Sequence, residues 1–113
     1  MKTELKDGSK DIYYHFVVGT NKIETSVVKN CPAVSTQDVK KILYADGREN
    51  KLTAIIWGSN LLKDKALASA SFRLEELAPG DKKITLYDTD GKDAGSIALS
   101  LGVKQVPAKI LNL

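Results

Sequence analysis

Ile12-Tyr13-Tyr14-His15-Phe16-Val17-Val18 is the stretch whose reading decides the fold. In an extended chain Ile12, Tyr14, Phe16 and Val18 fall on one face, and Tyr13, His15 and Val17 on the other. β-Branched and aromatic residues fill the run, and both kinds pack well on a pleated surface. Gly19-Thr20-Asn21-Lys22 then supplies turn chemistry, and residues 23–29 read as a second strand. The two segments predict a hairpin.

The same period continues outward. Pro32 has no backbone N–H and forbids a central ladder there, so residues 30–38 are expected to form a loop. Residues 39–44 read as a third strand, closed by the turn Ala45-Asp46-Gly47-Arg48-Glu49-Asn50. Residues 51–57 form a strand that Gly58-Ser59-Asn60 breaks. Residues 66–74 alternate Ala66, Ala68, Ala70, Phe72 and Leu74 against Leu67, Ser69, Ser71 and Arg73. Glu75-Glu76-Leu77 suits one helical turn ended by Pro79-Gly80. Residues 82–87 and 94–101 are strands about the turn Asp88-Thr89-Asp90-Gly91-Lys92-Asp93, with Ile97, Leu99 and Leu101 on one face. Residues 106–113 add a candidate edge strand. Short strands spaced by roughly ten residues, with almost no helix, predict an all-β sandwich or barrel of seven to eight antiparallel strands. No linker or repeat divides the chain, so residues 1–113 are expected to be one domain.

Composition limits the function classes. The 113 residues are 42% hydrophobic and 27% charged, which suits a packed domain and argues against disorder. A net charge of +3, from 17 basic and 14 acidic residues, is too mild to point to nucleic acid. No apolar run reaches the length of a membrane helix. The start, Met1-Lys2-Thr3-Glu4-Leu5-Lys6-Asp7-Gly8, lacks the apolar core of a signal peptide. One cysteine, Cys31, cannot close an internal disulfide and fits a reducing compartment. The expectation is a cytoplasmic protein, free or at the periphery of a membrane or the cytoskeleton.

Several stretches together resemble the C2 domain family. Leu67-Ala68-Ser69-Ala70-Ser71-Phe72-Arg73-Leu74-Glu75-Glu76-Leu77 is similar to a family stretch in which a strand runs into a short leucine-rich turn. Pro79-Gly80, Ile84-Thr85-Leu86-Tyr87, Asp90-Gly91-Lys92 and Gly95-Ser96-Ile97-Ala98-Leu99-Ser100-Leu101 resemble the closing strands of that family. Ser9-Lys10-Asp11-Ile12-Tyr13 looks like its Ser-Asp-Pro-Tyr motif with the proline replaced, and Thr25-Ser26-Val27-Val28-Lys29-Asn30-Cys31-Pro32 like the strand after it. The resemblance spans about residues 9–101 and implies a C2-like sandwich. Two departures stand out. The family's opening hydrophobic strand has no counterpart before Asp11, and Val34-Ser35-Thr36-Gln37-Asp38-Val39 replaces an aromatic-rich segment.

The resemblance also implies where calcium would bind. It puts Asp11 at one ligand position and Gly58-Ser59-Asn60 where the family carries an Asp-x-Asp. Asn60 and Asp64 retain oxygen there, and Asp7 could join them, but calcium needs six to eight oxygens and several carboxylates. A degenerate site at Asp11, Asn60 and Asp64 is expected to hold no metal. Asp88-Thr89-Asp90-Gly91-Lys92-Asp93 lacks the glutamate and flanking helices of an EF-hand loop and reads as a hairpin turn.

Catalysis finds little footing. His15, the single histidine, alternates within a strand, where a packed ring is commoner than a base. Cys31 beside Pro32 reads as a semi-buried thiol before a nucleophile. No phosphate loop or metal-ligand spacing occurs, and no cofactor is implied.

Binding has more support. Leu61 and Leu62 are adjacent, so an extended chain cannot turn both inward, and Lys63 and Lys65 flank them; such a tip suits a protein groove or a membrane interface. Trp57 reads as a core or sheet-edge residue. Lys22 and Lys29 bracket the second strand, and Lys40 and Lys41 join them if the third strand pairs alongside. The resemblance implies a basic groove for anionic lipid there. The expectation is a non-catalytic, calcium-independent, C2-like module for protein interaction, self-association or assembly. The alternative is peripheral docking on anionic phospholipid. The final segment, with Val106, Ala108 and Ile110 alternating against Pro107, Lys109 and Leu111, is expected to supply the missing opening strand, either within its own chain or by exchange with a second copy.

Overall fold

The computed structural model describes residues 1–6, 8, 10–36, 51–73 and 80–102. Nine strands lie among them: β1 Lys2–Leu5, β2 Lys10–Val18, β3 Asn21–Glu24, β4 Val28–Cys31, β5 Val34–Thr36, β6 Lys51–Gly58, β7 Lys65–Arg73, β8 Gly80–Tyr87 and β9 Asp93–Leu101. They form one antiparallel sheet in the order β3-β2-β6-β7-β8-β9-β1-β5, with β4 also pairing β2. The sheet curls on itself into a half-barrel, and buried residues recur at alternate positions along β2 and β6.

β2 runs along β6 from Ile12 opposite Gly58 to Val18 opposite Leu52. Its even-numbered residues face the core: Ile12, Tyr14 and Val18 are buried. Ile56, Ala68, Ala70, Leu86 and Ile97 from β6, β7, β8 and β9 close around Ile12 and Tyr14, with Cys31 beside them. Each large apolar side chain in that cluster contributes about 1.5–3 kcal/mol.

The opening strand is present, contrary to the expectation that it was missing. β1 pairs β9 from Lys2 opposite Ala98 to Leu5 opposite Gly95, and pairs β5 on its other edge. Apolar periodicity overlooks it because its central inward residue is Thr3, which is completely buried. The Thr3 hydroxyl lies 2.9 Å from the Tyr14 hydroxyl, so the two polar groups satisfy each other across the core. Tyr14 also bonds Ser35, and burial, opposed by these bonds, raises the pKa of its phenol. This cluster joins β1 and β5 to β2, on the far side of the curl.

The segment after the first hairpin differs from expectation in two ways. Residues 23–29 are not one strand: β3 ends at Glu24 and β4 begins at Val28. Thr25 causes the break, because its hydroxyl accepts the Tyr14 N–H (2.9 Å) in place of a backbone carbonyl. Residues 30–36 are not a loop either. β4 continues to Cys31, Pro32 ends the ladder as its missing N–H requires, and β5 resumes at Val34 against β1.

A bulge corrects the face assigned to Leu67. The register of β6 and β7 shifts between Ile56 and Trp57, which puts Ala66 opposite Trp57 and leaves Leu67 as the extra residue. Leu67 packs against the core, filling the space that Gly58 leaves by having no side chain. At the β8–β9 hairpin the expected turn is present. The Asp88 carboxylate accepts the backbone N–H groups of Asp90 and Lys92, both at 2.9 Å. The third strand at 39–44, the helical turn at 75–77, the last strand at 106–113, and Asp7, Lys40 and Lys41 lie outside the described residues.

Candidate functional site

The segment joining β6 to β7 is built to hold a tip away from the fold. Ser59 N–H donates to the Asp11 carbonyl (2.7 Å), which seats the chain as it leaves β6. At the other end Asp64 closes the loop. Its Oδ1 accepts the Asn60 N–H (3.1 Å) and its Oδ2 accepts the Tyr13 hydroxyl (2.6 Å). The Tyr13 bond, then the Asn60 bond, hold the Asp64 carboxyl below its usual pKa. The same contact pushes the Tyr13 phenol up to about 12. Between these anchors Leu61 and Leu62 are 103% and 96% exposed. Single exposed apolar residues are ordinary, but two adjacent leucines lifted clear of the surface leave both side chains fully wet.

Aromatic residues back the tip on the outer face of β2 and β6. Tyr13 and Trp57 are opposite one another in the register, with ring centroids 6.4 Å apart and planes inclined by 10°. His15 packs against both, at 5.4 and 5.5 Å, and its Nε2 meets Glu24 Oε1 at 2.6 Å. Trp57 therefore belongs to the outer face, not to the core, and its Nε1 has no hydrogen-bond partner among the described residues. His15 is a packed ring paired with a carboxylate. Cys31 is buried on the inner side, with its thiol 3.2 Å from Ser35 Oγ as donor.

The oxygen-bearing residues that the C2 resemblance assigned to calcium are occupied with the backbone. Asp11 Oδ1 accepts the Asn30 N–H (2.8 Å) and holds Asn30 at a positive φ of 49°. Asn60 and Asp64 bond each other as the loop clasp. Among the described residues no three His, Cys, Asp or Glu side chains gather as metal ligands would.

The lysines divide. Lys63 and Lys65 are exposed beside the leucines, and Lys29 is on β4, which pairs the Lys10–Ile12 end of β2 nearest the tip. Lys22 is opposite Val17 at the other end of β2, roughly 17 Å away at about 3.4 Å per residue. Among the described residues, charge around the tip end is nearly balanced. Lys6, Lys10, Lys29, Lys63, Lys65 and Lys92 are offset by Asp11, Asp64, Asp88, Asp90 and Asp93, which the β1–β2 and β8–β9 connections bring to the same end.

Sequence reasoning identified the exposed leucines from their adjacency, but missed the Tyr13–Asp64 clasp. Its partners are 51 residues apart, and only the pairing of β2 with β6 brings them together. Comparison with protein-family models and with curated proteins finds no match for the chain.

Proposed function

We propose that this chain is a non-catalytic, calcium-independent interaction module of C2-like sandwich architecture that docks by seating Leu61 and Leu62 in an apolar groove of a partner protein. The sandwich reading is supported by the way the sheet divides. β3-β2-β6-β7 and β8-β9-β1-β5 are each continuous runs, one residue pair joins them among the described residues, and the core lies between. The observation that carries the function is the complete exposure of two adjacent leucines on a loop clasped at its base. Burying both would contribute about 3–6 kcal/mol to a complex, and the clasp means that little order remains to be imposed on binding.

The second reading is peripheral docking on an anionic membrane, favoured by Lys63 and Lys65 beside the leucines. It ranks lower because, among the described residues, the near balance of lysines and aspartates around the tip leaves little net attraction to anionic lipid, at about 1 kcal/mol per unpaired lysine. Sedimentation with neutral and anionic vesicles at physiological salt separates the two. The groove reading expects the chain to stay in the supernatant with both. Sedimentation with anionic vesicles that Leu61→Ser or Lys63→Glu abolishes would overturn it in favour of the membrane.

A further inference from the structure

At the same end of the fold as the tip, a mouth of about 270 Å³ opens between β1, β7 and the β8–β9 turn, with Leu5, Leu67, Ala68 and Ala94 as its apolar lining. Backbone contacts fix both features in place. Lys6 N–H donates to the Ala94 carbonyl (3.1 Å) at the mouth, and Ser59 N–H donates to the Asp11 carbonyl (2.7 Å) at the base of the tip. Leu67 links the two. It is the bulged residue of β7, packs on the core, and lies against Gly58, where β6 leaves for the tip. An apolar tip and an apolar mouth therefore share one end, yet they do not meet within the chain. Leu61 and Leu62 are fully exposed, and the Tyr13–Asp64 and Asn60–Asp64 bonds hold their loop out.

We propose that the groove this tip enters is the mouth of a second copy of the chain, the two ends meeting about a two-fold axis. This rests on the reading of the tip as a docking element and names its partner. Size supports it: an engineered cavity of about 150 Å³ takes up a benzene-sized group, so a mouth of about 270 Å³ has room for two leucine side chains. Symmetry follows from position. Because tip and mouth lie at one end, a single two-fold contact seats each tip in the other copy's mouth and closes the assembly as a dimer. Charge permits the contact. The rim of the mouth carries Lys6 and Lys92 with Asp88 and Asp93, and the tip carries Lys63 and Lys65 with Asp64. Each end thus offers both signs to its copy, where an end of one sign would repel itself. Two short loops bury less than a standard protein interface, so the dimer is weak.

Sedimentation equilibrium of the full chain tests the association, and cross-linking between isotopically distinct copies tests the contact. At concentrations on the order of 100 μM the chain should sediment as a mixture of monomer and dimer. Leu61→Ser with Leu62→Ser should weaken the dimer about tenfold or more and leave the melting temperature unchanged. Ala94→Leu, which fills the mouth from its lining, should weaken it similarly. A photoreactive residue at Leu62 of unlabelled chain, mixed with heavy-isotope-labelled chain, should give a mixed-isotope adduct that maps to Leu5, Leu67 or Ala94. That readout needs no change in the mouth, so it decides the matter even where Ala94→Leu destabilises the fold. A dimer that survives Leu61→Ser with Leu62→Ser, or adducts that map elsewhere, would overturn the proposal. So would association that appears only after residues 103–113 are deleted, because the mouth's occupant would then be this chain's own tail. A monomeric chain whose Leu62 adduct in cells contains a different protein would overturn the second copy and leave the groove-docking reading standing. A monomeric chain with no protein adduct at Leu62 would remove both.

Discussion

Replacing Gly95 with alanine should detach β1 from the fold. Gly95 has a φ of +131°, a region that costs a residue with a side chain about 1–3 kcal/mol. A Cβ there would also collide with the Glu4 carbonyl oxygen and come within 2.9 Å of Leu5 Cα. The strained residue cannot simply be tolerated, because β1 is the strand directly against it. Retreat of β1 breaks the Leu5–Gly95 pairing and separates Thr3 from Tyr14, leaving the buried Thr3 hydroxyl without its partner at about 1–3 kcal/mol. The sum, about 2–6 kcal/mol, is a large share of the stability of a domain this size. Gly91→Ala is the matched control. Its φ is +79° but nothing lies within 4 Å of the added Cβ, so conformation alone should cost about 1–2 kcal/mol. Urea denaturation gives both values, and amide hydrogen exchange at Thr3 and Leu5 reports on β1 itself. If the two variants lose the same stability and β1 stays protected in Gly95→Ala, the close approach of β1 to β9 is refuted.

Three further outcomes follow from the same contacts. Tyr14→Phe should cost about 1–3 kcal/mol in urea denaturation, because it leaves the buried Thr3 hydroxyl without its partner; a change below about 0.5 kcal/mol would mean the pair is not formed. The Tyr13–Asp64 clasp should fail at both ends of the pH scale. The folded pKa of Asp64 is depressed, so its contribution is present above the unfolded value near 3.8 and is lost as pH falls through the lower folded value. The folded pKa of Tyr13 is raised, so its contribution is present below about 10 and lost as pH rises towards about 12. Tyrosinate absorbance should show one phenol shifted to about 12 that Asp64→Ala returns towards about 10, and an unshifted titration contradicts the clasp. Leu61→Ser with Leu62→Ser should change stability by less than about 0.5 kcal/mol, since neither side chain touches the fold; a marked loss in thermal melting would show that the tip is packed.

The strands legible in the sequence are those whose inward residues are apolar. β2, β6, β8 and β9 satisfy that condition through Ile12, Ile56, Leu86 and Ile97. β1 fails it because Thr3 is inward, and a buried threonine is recognisable only when Tyr14 is known to face it. β3 and β4 were merged because nothing in Thr25 announces that its hydroxyl will replace a carbonyl. The bulge at Leu67 was invisible for a related reason: alternation tells which residues share a face only while the register holds, and a register shift leaves no mark in the spacing. At the site, two adjacent leucines with a lysine on the next residue identified the tip, because no extended chain can bury both. The residues that hold it out, Tyr13 and Asp64, are 51 residues apart in the chain and meet because β2 pairs β6. Asp11, Asn60 and Asp64 accept backbone N–H groups, and Asp64 also accepts the Tyr13 hydroxyl, contacts that the sequence does not announce.

The most direct measurement places a photoreactive amino acid at Leu62 in cells that make the protein. The account predicts a discrete protein adduct that Leu61→Ser diminishes. It also predicts that the adduct is absent when the photoreactive residue is moved to Thr20, exposed in the β2–β3 turn at the other end of β2. Adducts with lipid alone, or none from Leu62 under conditions in which other exposed positions cross-link, would contradict the claim that this tip docks in a protein groove.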